Sequence, residues 1–198
     1  NYIKTIKYLI GQGYKVVRIG KNSKITIDID DKENFIDISI DNHKNEILDI
    51  MLLNYCKCFL STAGGLDYLG FMFDKPMLIN SPIVDNIFSE KKNIIYLLKK
   101  HFNKKTKKVL NFQDIKNMDL GFVPKAEYFK NKSIEINDND EDKILNTVKI
   151  LLCLIDDDNN YQIYYNESVK HWNIYKDYIS LKHPHLKKYF EDIKCLSL

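Results

Sequence analysis

The sequence predicts an α/β fold: a parallel sheet flanked by helices over residues 1–158, followed by a helical C-terminal extension over residues 159–198. Three observations predict it. Short apolar runs that read as strands alternate with stretches whose apolar residues recur at helical spacing. Turns containing glycine, proline or asparagine separate them. Strand, helix and strand in succession is the pattern of a parallel sheet with helices on its faces.

Tyr2, Ile3, Ile6, Leu9 and Ile10 share one helical face, and Gly11-Gln-Gly13 ends that helix. Tyr14–Ile19 reads as a strand closing on Gly20, and Lys21–Asp31 as a polar loop with an irregular strand at Ile25–Ile29. Phe35–Ile40 is extended, and a helix is expected from about Asn45 to Tyr55. Lys57–Leu60 is a strand, Ser61–Gly65 a turn, Leu66–Phe73 a helix and Met77–Asn80 a second strand, entered through Lys75-Pro76. Asn93–Leu98 reads as a further strand, Lys99–Lys108 as a basic solvated loop and Asn111–Asn117 as a short capped helix. Ser133–Asn137 alternates as a strand does, and Asp138–Asp140 offers caps for a long helix, Glu141–Ile155. Asp156–Asn160 breaks that helix. Tyr161–Tyr178 is expected to be helical, with Tyr164, Tyr165, Trp172 and Tyr175 packed back on the body.

Composition narrows the functional classes. With 198 residues and 44% hydrophobic content the chain can bury one sizeable core. A net charge of +3, with 27 acidic residues interspersed among 30 basic ones, argues against a nucleic-acid partner, which calls for a concentrated basic face. Cys56, Cys58, Cys153 and Cys195 have no metal-site spacing and read as free thiols of a reducing compartment. With no membrane-spanning run and no signal peptide, the expected location is cytoplasmic. The chain opens within a helical pattern, as one domain of a longer protein would.

In open α/β sheets ligands bind beyond the carboxyl ends of the strands. Arg18–Gly20, Ser61–Gly65 and Asn80–Pro82 all fall at such ends. Arg18 is the one arginine among 30 basic residues, and its planar fork can grip a diphosphate as lysine does not. Ser61, Thr62, Gly64 and Gly65 bring hydroxyls and backbone N–H groups to a helix start, a place suited to phosphate. The bland alternative is a tight turn using glycine at positive φ. Lys44, Glu46 and Asp49 sit at or near another helix start and suit a phosphate, a ribose or a base edge, or only the helix dipole. His43 is a weaker candidate base. Asp28-Ile-Asp30 has the spacing of a metal-binding Asp-x-Asp, which arises easily by chance in an Asp-rich chain, and no metal is expected.

At these residues the chain resembles a family of putative bacterial glycosyltransferases. Gly13-Tyr-Lys-Val-Val-Arg-Ile-Gly20 is similar to the family's Gly-Tyr-x-Val-Ile-Arg-x-Gly strand. Lys44 through Leu48-Asp-Ile50 is similar to its Lys-Ser-Asp-x-x-Asp-Ile helix start, and Cys56-Lys-Cys-Phe-Leu-Ser-Thr-Ala-Gly-Gly65 to its Cys-Lys-Phe-Phe-Ile-x-Thr-x-Ser-Gly turn. The likeness extends through Lys75-Pro76, Asn80, Leu110-Asn-Phe-Gln-Asp-Ile115 and the segment ending at Ile144, over roughly residues 2–155. More distantly, the arginine strand and the glycine turn look like the donor half of fucosyltransferases of the GT-B type. The chain departs from the family at Ala63, where a serine is usual, and at Asn45-Glu46, where Ser-Asp is usual.

The resemblance implies a Rossmann-like C-terminal domain of a GT-B glycosyltransferase, whose N-terminal domain lies outside this chain. It implies a nucleotide-sugar donor, a cell-surface glycan or lipid-linked acceptor, and no cofactor. Arg18 would neutralise the leaving diphosphate, with Gly20, Lys44, Glu46, Ser61, Thr62, Gly64, Gly65 and Asn80 holding the donor. The basic run Lys99–Lys108 would suit peripheral contact with the inner membrane face. Two alternatives stay open. One is a remnant domain that binds a nucleotide or sugar without turnover. The other is a GT-B-type sugar-nucleotide epimerase, which needs an acid–base pair that the sequence does not offer convincingly.

Overall fold

The computed structural model describes residues 1–20, 23, 25–40, 46–82, 94–121 and 126–156. The elements in chain order are α1 (Ile3–Gly11), β1 (Val16–Arg18), β2 (Phe35–Asp37), α2 (Glu46–Tyr55), β3 (Phe59–Ser61), α3 (Leu66–Met72) and β4 (Met77–Ser81). There follow β5 (Ile94–Leu98), β6 (Lys100–Asn103), β7 (Lys108–Val109), α4 (Phe112–Asn117), α5 (Ala126–Asn131), β8 (Ile134–Asn137) and α6 (Glu141–Asp156). The expected extension over 159–198 and its aromatic residues lie outside the described residues.

The fold is α/β, with the strands in three small sheets: parallel β1-β2, parallel β3-β4-β5 and antiparallel β7-β6-β8. Two compact units share them. The first takes Asn1–Ser81, 94–99 and Asp138–Ile155, and so holds both parallel sheets with α1, α2, α3 and nearly all of α6. The described part of the second is Pro82, 100–121, 126–137 and Asp156.

The first unit is layered. Leu60 and Leu78 turn to one face of the β3-β4-β5 sheet, where they pack with Leu9 of α1 and with Ile144, Val148 and Leu151 of α6. Phe59 and Met77 alternate with them and so turn to the opposite face. There α3 comes so close that a Cβ on Gly70 would meet Met77 Sδ at 2.7 Å. A side chain at Gly70 would therefore require the Met77 thioether to move aside. Asp140 caps α6 by accepting the Lys143 N–H at 2.7 Å, as the Asp138–Asp140 run predicts. Residues 25–29, read as an irregular strand, form none: Ile29 is buried with Ile6 and Phe35 while Ile25 is exposed, and among the described residues the segment pairs with no strand.

In the second unit the basic run departs from a solvated loop. Lys100–Asn103 is a strand paired antiparallel to β7 and β8. His101 is buried, its ring edge-on to Phe129 with centroids 5.5 Å apart. Alternation explains the mixture, since His101 and Asn103 point inward while Lys100 stays exposed. Asn111 caps α4 in a reciprocal capping box with Asp114, as its sequence predicts. Among the described residues no helix is long and apolar enough to cross a membrane.

Candidate functional site

Arg18 ends β1, in register with Asp37 of the parallel neighbour β2. That register brings the two side chains together: Nη1 donates to Asp37 Oδ2 at 2.9 Å and to the Ile25 carbonyl at 2.6 Å. Nη2 donates to the Ser23 hydroxyl. The arginine side chain keeps 27% of its surface exposed, and Asp37 only 9%. Gly20 follows at φ +132, a conformation open to glycine, with nothing near the place of a Cβ. This arm of the site is a fixed guanidinium beside a permissive backbone turn.

The second arm follows β3. Ser61 is buried, accepts the Ala63 N–H at 3.0 Å and donates to Asp67. The other carboxylate oxygen of Asp67 accepts the Gly64 N–H at 3.2 Å. Asp67 thus reaches back three residues and closes the turn, as the returning half of a capping box does. Burial raises the Asp67 pKa, against the lowering effect of its bonds from Ser61 and Gly64. The sequence reading missed Asp67, although a carboxylate three residues after Gly64 was a readable capping signal.

The glycines sit differently from the tight-turn expectation. Positive φ falls on Ala63, at 65°, while Gly65 has φ −60 and ψ −26. A Cβ on Gly64 or Gly65 would meet nothing within 4 Å. Neither backbone strain nor packing therefore demands glycine there. Thr62, Gly64 and Gly65 are all exposed, so the outer surface of the turn is backbone and one hydroxyl.

Asn80 is buried at the carboxyl end of β4. Its amide donates to Tyr2 Oη at 3.1 Å, and its Oδ1 accepts from Asn139 at 2.9 Å. Asn139 also donates to the Leu98 carbonyl at 3.3 Å. This network ties the start of α1 and the entry to α6 to the ends of β4 and β5, with Asn80 engaged inside it. Burial raises the Tyr2 pKa. Tyr2 read as an apolar helix residue, and nothing in the sequence marked its hydroxyl as a partner of Asn80.

Glu46 opens α2 and is exposed, with Asp49 in the same first turn. His43, Lys44 and Asn45 lie outside the described residues. Asp28 and Asp30 are exposed, and Asp28 pairs with Lys32 at 3.3 Å. Among the described residues no three His, Cys, Asp or Glu side chains gather as metal ligands would. Cys56 and Cys58 are both free thiols, and burial pushes Cys58 up to about 11. Chemically, the arrangement offers a fixed cation and an exposed glycine turn, each at the carboxyl end of a parallel strand.

Compared with known proteins, the chain matches no family model, no curated protein and no solved structure. The glycosyltransferase resemblance rests on the motifs themselves.

Proposed function

We propose that this chain is the Rossmann-like donor-binding half of a GT-B glycosyltransferase. It would move a sugar from a nucleotide-diphosphate sugar to a cell-surface glycan or lipid-linked precursor. One observation carries the reading: Gly64 and Gly65 form a bare, exposed turn at the carboxyl end of a parallel strand, and neither φ nor packing requires glycine there. Bare backbone at such a place lets a phosphate or ribose approach the main chain closely. Thr62 and the turn backbone would hold the donor. Arg18, fixed by Asp37, would offset charge on the departing diphosphate, a preorganised contribution of about 2–4 kcal/mol. Exposed Lys104, Lys105, Lys107 and Lys108 suit an acceptor carrying a lipid phosphate.

The test is a thermal-shift series with UDP, GDP, CMP and dTDP on wild type, Gly65→Ala and Arg18→Ala. One nucleotide should stabilise wild type, by about 2.7 kcal/mol at a hundredfold excess over Kd. Gly65→Ala should keep the ligand-free Tm and lose at least about tenfold in affinity, because only an approaching ligand would meet the new methyl. No shift with any nucleotide, or full affinity in Gly65→Ala, would sink the proposal. A second reading, binding without turnover, draws on the internal engagement of Arg18, Ser61 and Asn80. Release of nucleoside diphosphate from a bound nucleotide sugar separates the two.

A further inference from the structure

The two parallel sheets of the first unit share a core without pairing. Val16 of β1 packs against both the cluster that holds Ile6 and Phe35 and the cluster that holds Leu9 and Leu78, which Leu60 of β3 also joins. The core therefore runs from β2 through β1 to β3 and β4, with α1 spanning both parts. Yet among the described residues no backbone hydrogen bond joins β1 to β3. At the amino ends of the two strands a long side chain makes the connection: Lys57 Nζ reaches Tyr14 Oη at 3.1 Å.

Each sheet has an edge of the same kind. The Val16 N–H donates to Asn34 and the Arg18 carbonyl accepts from Ile38, so Val16 and Arg18 pair toward β2. The Phe59 N–H donates to Pro76, toward β4. Alternation along a parallel ladder turns the N–H and C=O of Val17, and those of Leu60, to the opposite edges.

The position of α1 says what fits between them. Its start is tied to the carboxyl ends of the strands, through Tyr2 to Asn80 and through the Asn1 amide to the Asn139 carbonyl at 3.2 Å. A strand feeding α1 would therefore run parallel to β1 and β3. Handedness fixes its side. α3, which connects β3 to β4, lies on the Phe59–Met77 face, while α1 lies on the Leu60–Leu78 face. Crossovers between parallel strands are right-handed in about 98% of cases. A helix on the opposite face then requires its two strands to step in the opposite direction, away from β3 toward β2. The feeding strand must lie on the β3 side of β1.

We propose that a parallel, apolar β-strand leading directly into α1 occupies the slot between β1 and β3, joining the two sheets into one in the order β2-β1-new strand-β3-β4-β5. That is the doubly wound order 3-2-1-4-5-6 with its central strand supplied from ahead of Asn1. The inference is independent of the donor-binding reading.

Backbone amide exchange tests it on three forms of the 198-residue chain. One is unextended. The second carries a valine–isoleucine strand of about six residues and a loop of about four residues before Asn1. The third carries a Gly/Ser segment of the same length. Exchange at Val17 and Leu60 should slow at least about a hundredfold in the strand-extended form relative to the Gly/Ser form. Val148 and Leu151 in α6 report folding throughout. Protection of those α6 amides gained only in the strand-extended form would support the slot as well. Equal rates at Val17 and Leu60 in the two extended forms overturn the proposal, as does protection already present in the unextended chain. If that protection grows with concentration, a second copy fills the slot and the leading strand does not.

Discussion

Helices α6 and α2 both belong to the first unit, and both carry apolar residues at helical spacing. On α6, Ile144, Val148, Leu151 and Leu152 are buried and form the centre of the core. On α2 only Leu53 is buried, while Ile47 stands 67% exposed, Met51 51% and Tyr55 81%. Neighbouring α3 adds Tyr68 and Met72, also exposed. The same pattern in the sequence thus reports a packed face in one helix and an open apolar surface in the other. Contiguous exposed apolar area of this kind is characteristic of interaction surfaces.

Truncation sharpens that contrast most. Leu151→Ala removes a fully buried side chain from the core, and should cost about 2–5 kcal/mol. Met51→Ala should change stability by less than about 0.5 kcal/mol. Urea unfolding monitored by circular dichroism reads both. Equal losses would mean that α2 is covered in solution and that the two faces are alike.

Thiol chemistry gives the next largest effect. Cys58 packs beneath the α1/α6 core, whereas Cys153 projects from α6 into solvent. With its pKa pushed up to about 11, from an ordinary 9.0, Cys58 forms about a hundredfold less thiolate at pH 8 than an ordinary thiol. Iodoacetamide followed by peptide mapping should label Cys153 well before Cys58. The sign of the linked pH effect follows. The fold favours the protonated thiol, so this contribution is intact below pH 9 and is lost as the pH rises through about 11. Labelling of both thiols at one rate would place Cys58 outside the core.

The sequence revealed elements better than it revealed side-chain partners. Helix starts at Asn111 and Asp140 were legible because capping is local, written within four residues. β3, the glycine turn and α3 were legible for the same reason. Partners across the fold were not: Asp37 meets Arg18 through the β1–β2 register, and Tyr2 and Asn139 meet Asn80 from residues 78 and 59 positions away. Candidate ligands Arg18, Ser61 and Asn80 read as outward-facing polar groups, yet each is engaged within the fold. The partition of the strands into three sheets was equally hidden, since the basic composition of Lys99–Lys108 masked the alternation that buries His101.

Polar burial at the entry to α6 gives a smaller test. Asn139→Ala removes the donor to Asn80 and to the Leu98 carbonyl, leaving buried acceptors without it. The loss should be about 1–3 kcal/mol. The corresponding polar change at the open face, Asn54→Ala, should lie within about 0.5 kcal/mol, because Asn54 is exposed. A double variant with Asn80→Ala should lose less than the sum of the two single losses, because the residues share one network.

The smallest effect concerns the turn between these layers, where glycine and alanine stand in unexpected places. Ala63 holds φ at 65°, a left-handed conformation that costs an L residue about 1–2 kcal/mol relative to glycine. Part of that is returned by the lower entropy of the unfolded alanine chain. Ala63→Gly should therefore raise stability by only about 0.5 kcal/mol. Gly65→Ala meets no atoms and keeps an ordinary helical φ, so its effect on stability should be within about 0.5 kcal/mol of zero. Paired denaturation curves decide the matter. A large loss in Gly65→Ala would mean that the fold itself needs glycine there, and the bare turn would no longer point to a ligand.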